Sequence, residues 1–326
     1  MVTIHDVAKK AGVSITTVSW VINEKGNISD ETRQKVWKAI DELNYVPSFS
    51  AQYLKKKKTE TIGLILSELA GYFYSELIRG IEDTLIKYDE YSMLACSANK
   101  RTINTAIDFF TRKRYDGYIL YSPLIKDEII KRTAHRQLPV VVLDRLISDK
   151  YIFNILINNR SGIQEALEHI SKKGYKKLGI VKGRDSFDSN ERFHAIIEFK
   201  EKYGFIIKDE WITESKFTKI SGYELGNYYY NLSDKPEVIF CLNDESAIGL
   251  MQRLREYGVI IPRDIGIVGF DDIEISRYLN PSLSTVKRPM YDIGTLAVEM
   301  LFECFNGKNY EQTIRLDTSF VERESI

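Results

Sequence analysis

Two rhythms divide the chain. From Thr3 to Tyr45 apolar residues recur at helical spacing, and from Thr61 they gather into short β-branched runs separated by amphipathic stretches. In the first segment Ile4, Val7, Ala8 and Ala11 follow the i, i+3, i+4, i+7 spacing of one helical face. Thr3 and Asp6, three residues apart, make a capping box at its start, and Gly12 stops it. Ser14 caps a second helix, with Val18, Val21 and Ile22 inward and Ile15, Thr16, Ser19 and Trp20 outward; residues 23–26 break it. Ser29 caps a third, with Val36, Ile40 and Leu43 inward and two i, i+4 pairs, Glu31 with Lys35 and Lys38 with Glu42. Three short helices with a tight glycine turn between the first two predict a helix-turn-helix. Periodicity alone also fits a small helical cap on the next domain.

The residues after the third helix narrow that choice. Tyr45-Val46-Pro47 ends it, and residues 48–54 are helix-compatible but too short to be stable in isolation. They carry Phe49, Tyr53 and Leu54 with no domain of their own to bury them, and Lys55 to Lys58 come directly after. Lys+Arg and Asp+Glu are equal over the whole chain, at 46 each, so no global field marks a nucleic-acid or membrane binder. The balance is uneven along it: residues 1–59 hold ten basic against six acidic side chains, a net charge of +4, and residues 60–326 carry −4. A marginal apolar helix beside four lysines suits a partner with a phosphate backbone.

Candidate strands in the second segment are 62–66, 92–97, 117–121, 140–143, 178–182, 238–242 and 265–269. Helical patterns lie at 73–88, 103–113, 161–173, 190–203, 244–257 and 291–306. This alternation predicts parallel sheets with right-handed crossovers, and the length is enough for two such lobes. The expected fold is therefore an all-α helix-turn-helix headpiece and then an α/β core of two parallel-sheet lobes. Ligands of such sheets bind beyond the carboxyl ends of the strands. That rule selects Asp144, Asn243 with Asp244, and Asp271 with Asp272, together with Arg192 near a helix start and the loop aromatics Phe73 and Phe217. Taken singly, Asp244 reads as a helix N-cap and the two phenylalanines as core. Together, carboxylates, an amide and a guanidinium satisfy vicinal hydroxyls, and aromatic faces cover the apolar side of a sugar ring.

Length and composition remove other classes. At 326 residues, 44% hydrophobic and 28% charged, the chain is an ordinary globular protein of two or three domains. Cys96, Cys241 and Cys304 are far apart and form no C-x-x-C pair, which argues against disulfides and zinc and fits a reducing cytosol. The N-terminus has no apolar h-region, and no apolar run approaches about 18 residues, so a soluble intracellular protein is expected. None of the phosphate-loop, nucleophile-elbow, zinc-hydrolase or dinucleotide signatures is present. His5, His135, His169 and His194 form no catalytic constellation, although His194 lies two residues after Arg192. No enzyme activity, cofactor or metal is expected; a cytosolic sugar-handling enzyme is the alternative from another class.

The run Thr3-Ile4-His5-Asp6-Val7-Ala8-Lys9-Lys10-Ala11-Gly12-Val13-Ser14, then Thr17-Val18-Ser19, Asn23, and Ser29 through Tyr45-Val46-Pro47, resembles the DNA-binding headpiece of the lactose/galactose-repressor family. Further along, Asn243 to Gly249, Asp264 to Asp272, Pro281 to Val286, and Ile62-Gly63-Leu64-Ile65 leading to Phe73 resemble that family's effector domain. The resemblance implies a recognition helix from about Ile15 to Asn23 in the major groove of a pseudo-palindromic operator. Ile15, Thr16 and Trp20 would read bases, Ser14, Thr17 and Ser19 would lie near phosphates, and Asn23 and Thr32 would join the DNA-binding set. A hinge helix at 48–55 would bring Ser48, Ala51 and Leu54 to the minor groove. Trp20 stands where the family often has arginine, and indole offers one N–H where guanidinium offers a bidentate fork. The implied organisation is a headpiece at 1–46, a hinge and linker at 47–60, and a core at 61–326. Within the core, lobe 1 would be about 61–157 and 288–326, and lobe 2 about 161–285. Asp144, Arg192, Asn243 and Asp271 would bind the effector, lined by Phe73, Phe217 and Tyr121, with Met290 at a variable pocket position. The implied partners are operator DNA, a sugar or sugar-phosphate effector (or a purine co-repressor) and a second copy of the chain.

Overall fold

The computed structural model describes residues 2–46, 58–88, 91–112, 115–183, 187–308 and 311–326, and divides into two compact units, 1–59 and 60–326. The expected hinge helix, with Ser48, Ala51 and Leu54, lies outside the described residues.

The first unit is three helices, α1 (Ile4–Ala11), α2 (Ile15–Ile22) and α3 (Asp30–Leu43). The Asp6 carboxylate accepts the Thr3 backbone N–H at 2.8 Å, and Gly12 ends α1 at φ +68°, a conformation glycine adopts without a Cβ penalty. The Ser14 hydroxyl accepts the Thr17 N–H at 3.0 Å to start α2, and Ser29 does the same for Thr32 at the start of α3. Val7, Ala8, Val18, Val21, Val36 and Ile40 meet in a buried cluster on the inward faces that the spacing predicts, joined by Ala39.

The second unit carries two six-stranded sheets. Its first sheet takes β1 (Thr61–Leu66), β2 (Ser92–Ser97), β3 (Gly117–Tyr121), β4 (Val140–Leu143), β5 (Ile152–Asn158) and β11 (Thr313–Asp317), in the order β11-β5-β4-β3-β1-β2 and all parallel. The second takes β6 (Leu178–Lys182), β7 (Ile212–Glu214), β8 (Val238–Cys241), β9 (Gly266–Asp271), β10 (Ser284–Lys287) and β12 (Ser319–Val321), in the order β12-β10-β9-β8-β6-β7. Of these strands only β12 runs antiparallel, against β10. Helices α4 (Ser75–Leu85), α5 (Ile103–Thr111), α6 (Asp127–Thr133) and α11 (Met290–Phe305) serve the first sheet. Helices α7 (Asn159–Lys172), α8 (Phe187–Tyr203), α9 (Lys219–Asn231) and α10 (Asp244–Glu256) serve the second. Each sheet has a buried apolar cluster on both faces, which is why its strands read as continuous apolar runs.

The lobes differ from expectation at one end. The chain passes between the sheets near 158 and 288, and again at Thr318, a single residue between β11 and β12. Residues 319–326 therefore belong with the second lobe: β12 pairs with β10, and Ile326 is buried in that lobe's core. No turn residue marks the third passage, because the Thr318 hydroxyl makes it, accepting the Gly162 N–H at 2.9 Å and donating to the Asn158 carbonyl at 2.8 Å.

Candidate functional site

A cavity of about 790 Å³ lies between the carboxyl ends of the two sheets. The structure brings all seven expected effector residues to its wall: Phe73, Tyr121, Asp144, Arg192, Phe217, Asn243 and Asp271. Phe73 comes after β1, Tyr121 ends β3, Asp144 comes after β4, Asn243 after β8, and Asp271 ends β9. Phe217 comes from the loop after β7, and Arg192 from α8. Four residues beyond or at the strand ends, Asp144, Asp271 and Asp272 and the loop residue Phe217, hold positive φ (+54°, +117°, +54° and +57°) without being glycine. Backbone strain of this kind concentrates at functional sites, where the surroundings over-determine it. Gly183 shows how tight the fit is, since a Cβ there would come within 2.1 Å of the Phe217 ring.

The polar floor is a row of alternating charge. Arg192, only 3% exposed, donates to the Leu242 carbonyl at 2.8 Å and to Asn159 Oδ1 at 3.2 Å, and its guanidinium lies 3.8 Å from the Phe270 ring centre. Its Nη1 is 3.7 Å from Asp271 Oδ1. The same Asp271 oxygen lies 3.8 Å from Nη1 of Arg288, 4% exposed; Arg288 also pairs with Asp144 and donates to the Tyr121 hydroxyl at 3.1 Å. Phe73, Tyr74 and Tyr121 form an aromatic wall with ring centroids 4.8 to 5.9 Å apart, and burial raises the Tyr74 hydroxyl above the usual tyrosine range. Asn243 accepts the Ser246 N–H at 3.2 Å as the cap of α10, and its amide donates to the Phe217 carbonyl at 3.2 Å, tying that loop to the helix. Met290 does not reach the cavity: it is buried in the first lobe's core as the opening residue of α11. His194 is not among the lining residues either.

In the first unit α2 turns Ile15, Thr16 and Trp20 outward; Ile15 is 39% and Trp20 46% exposed. Ser14 and Thr17 share a hydroxyl–hydroxyl hydrogen bond of 2.8 Å, Asn23 donates to the Ser19 carbonyl at 2.7 Å, and Thr32 accepts from Ser29 at 3.0 Å. Gly26, at φ +77°, backs the indole, and a Cβ there would lie 3.0 Å from Trp20 Cε3. The large exposed side chain is thus fixed by the turn behind it. A solvated apolar surface of this kind on the second helix of a helix-turn-helix suits the major groove.

Comparison with known proteins decides the family. The model for bacterial regulatory proteins of the lacI family matches residues 3–48, and that for a periplasmic binding protein-like domain matches residues 167–326. The HTH-type transcriptional repressor PurR of Aliivibrio salmonicida (strain LFI1238) is 31% identical over 331 residues, covering 100% of this chain and 99% of that one. A protein named "Probable HTH-type transcriptional repressor ExuR", from Bacillus subtilis (strain 168), is 33% identical over 335 residues, covering 100% and 98%. The chain belongs to the lacI family of bacterial regulatory proteins. It is a DNA-binding transcriptional regulator controlled by a small effector. Among solved structures, the Lac repressor dimer bound to operator and the anti-inducer ONPF has a TM-score of 0.77 at 27% identity, covering 99% of this chain and 98% of that one. A lacI-family regulator from Enterococcus faecium with bound ribose has a TM-score of 0.72 at 26% identity, covering 81% and 98%.

The roles of two residues of this lacI-family core escape a reading of the sequence. Arg288 is hidden because β10 contains a single large apolar residue, Val286; the basic pair Lys287-Arg288 before Pro289 is the available signal. Asp244 is not the N-cap of its helix, a place Asn243 takes. Its fully buried carboxylate instead accepts from the Ile273 N–H at 3.0 Å, the Ser276 hydroxyl at 2.7 Å and the Thr285 hydroxyl at 2.6 Å. Burial, with Asp271 close by, pushes this carboxyl up to about 8. Among the described residues no cluster of three metal-ligating side chains occurs, and no helix is long and apolar enough to cross a membrane.

Proposed function

We propose that the cavity binds a sugar or sugar phosphate and that its occupancy sets the regulator's affinity for DNA. The observation that carries this reading is the convergence of two buried arginines, two aspartates whose side chains are 7% exposed and an aromatic wall on one cavity from separate elements of the two lobes. Carboxylates accept from sugar hydroxyls, guanidinium groups donate to them, and the rings of Phe73 and Phe217 offer faces to the apolar side of a pyranose or furanose. Those faces also suit a planar base, and relatives bear the name PurR, so a purine co-repressor is the second reading. Ser14, Ile15, Thr16, Thr17, Ser19, Trp20, Asn23 and Thr32 form the DNA-contacting set. Ser48, Ala51 and Leu54 extend it on the strength of the sequence. The domain division at 1–46, 47–60 and 61–326 assigns DNA reading to the first two parts and effector binding and dimerisation to the last.

The chain acts in the cytoplasm as a homodimer, because a two-fold operator needs two headpieces, and it performs no catalysis. Selection from random duplex DNA tests the assignment. The full chain is expected to enrich a two-fold symmetric site, and a chain of residues 60–326 to enrich nothing while still giving ligand-dependent thermal shifts. Enrichment of the same site by 60–326 would overturn the division of labour. Thermal shifts with purines and none with sugars would select the second reading.

A further inference from the structure

We propose that the cavity selects an uncharged sugar against its carboxylated and phosphorylated counterparts, with Asp144 and Arg288 as the specificity-determining residues. This rests on the sugar reading above and narrows it.

The four charged side chains on the cavity floor are arranged as Asp144, Arg288, Asp271 and Arg192, alternating in sign. The Arg288–Asp144 pair is the closest contact, and Arg288 and Arg192 both approach Asp271 Oδ1, at 3.8 and 3.7 Å. The side chains are 2% to 7% exposed, so each charge relies on its neighbours rather than on water for compensation. The row sums to zero. An anionic ligand seated on a guanidinium must draw it from an aspartate that stays buried, and a buried charge that loses its partner is strongly disfavoured. A hydroxyl is different, because it donates to the carboxylate and accepts from the guanidinium at once. A ring bearing vicinal hydroxyls can therefore enter an alternating row and leave every charge compensated.

Among the described residues the cavity wall supplies no surplus cation. The other charged lining residues, Arg145 and Lys216 against Glu68 and Glu245, balance in number. Arg145 is also engaged elsewhere, donating to the Ile125 carbonyl at 3.0 Å and lying 3.4 Å from Asp127. Arg288 further serves the aromatic wall, its guanidinium 5.1 Å from the Phe73 ring centre. The row also spans the fold: Asp144 comes after a strand of the first sheet, Asp271 ends one of the second, and Arg288 lies where the chain passes between them. A ligand that respects the row touches both lobes.

Calorimetric titration of the full chain tests this. The probes are ribose, glucose and galactose, each beside its phosphate, and the two hexoses also beside their uronic acids. The wild type is expected to bind at least one neutral sugar at least tenfold more tightly than its charged counterparts. Asp144→Asn leaves the row with a net positive charge, and is expected to narrow that ratio at least tenfold or reverse it. If Asp144→Asn does not fold, Arg288→Gln replaces it; it leaves a net negative charge and is expected to widen the ratio. A charged sugar that binds the wild type more tightly than its neutral parent overturns the selectivity while the sugar reading stands. So does a ratio unmoved in the variant that folds. Binding of a purine with no sugar of either kind removes the sugar reading and the selectivity with it.

Discussion

Asp244 is buried completely, yet its carboxylate meets three donors, none of them a basic side chain. Burial and the nearby Asp271 carboxylate raise its carboxyl from 3.8 to about 8, so the folded protein holds a proton there that the unfolded chain releases near pH 4. The folded state then binds more protons than the unfolded one across that interval. The stability this contributes is full below about pH 4, falls as pH rises toward 8 and levels beyond. Asp244→Asn carries no charge at any of these values, keeps an acceptor for Ile273 and Ser276, and turns a donor toward Thr285. Urea midpoints measured from pH 5 to pH 9 are expected to fall in the wild type relative to the variant; parallel profiles would contradict a neutral Asp244. Residues of this kind explain what the sequence could and could not disclose. Asp144, Asn243 and Asp271 stand beside strands that announce themselves, so the strand-end rule finds them. The roles of Asp244 and Arg288 depend on Thr285, Ser276 and Asp144, partners far along the chain that no local spacing encodes.

Three elements, β5, β10 and α9, lack an unbroken local apolar pattern, and their contacts show why. β5 is interrupted by Asn154, which is buried because its amide group exchanges hydrogen bonds with the backbone of Ile147 at 2.8 and 3.2 Å. β10 places Thr285 on Asp244 and Ser284 opposite Ser325, so hydroxyls stand in place of an apolar run. In α9 small residues do the packing: a Cβ on Gly222 would come within 2.1 Å of the Ser246 carbonyl oxygen of α10. Helices that touch through backbone leave little amphipathic signal. The same device joins α4 to α11, where a Cβ on Gly80 would lie 2.1 Å from the Tyr291 carbonyl oxygen and one on Gly294 would lie 2.3 Å from that of Leu77. Neither oxygen is the end of a flexible side chain, so the helices must separate to admit a methyl group. Gly80→Ala is expected to cost about 1–3 kcal/mol of stability by denaturant unfolding, against the small gain usual for Gly→Ala within a helix. A variant as stable as the wild type would show that this helix pair is not closely packed.

At the scale of the whole molecule, two units with separate cores carry two chemistries: an outward helix face with Ile15 and Trp20, and a cavity between sheets with paired charges. Both were legible because each rests on a repeated local pattern, the capped helices in one and the strand ends in the other. The third passage between lobes at Thr318 was not, since one threonine gives no turn signature. Regulation requires that a ligand favour one arrangement of the core over another, and it shifts DNA affinity only by that difference. Arg192 meets the cavity on one side and Asn159, the first residue of α7 at a passage between the lobes, on the other. It is therefore a residue through which occupancy can bear on the relation between lobes. The decisive measurement is fluorescence anisotropy of the selected DNA site, titrated with full-length wild type and Arg192→Ala at one fixed salt concentration, each with and without the saturating sugar. The wild type should change its DNA affinity at least tenfold when the sugar is added, and Arg192→Ala should bind the same DNA with no response at that concentration. A wild type whose affinity ignores the bound sugar, or a variant that responds as the wild type does, would contradict control of DNA binding through this cavity.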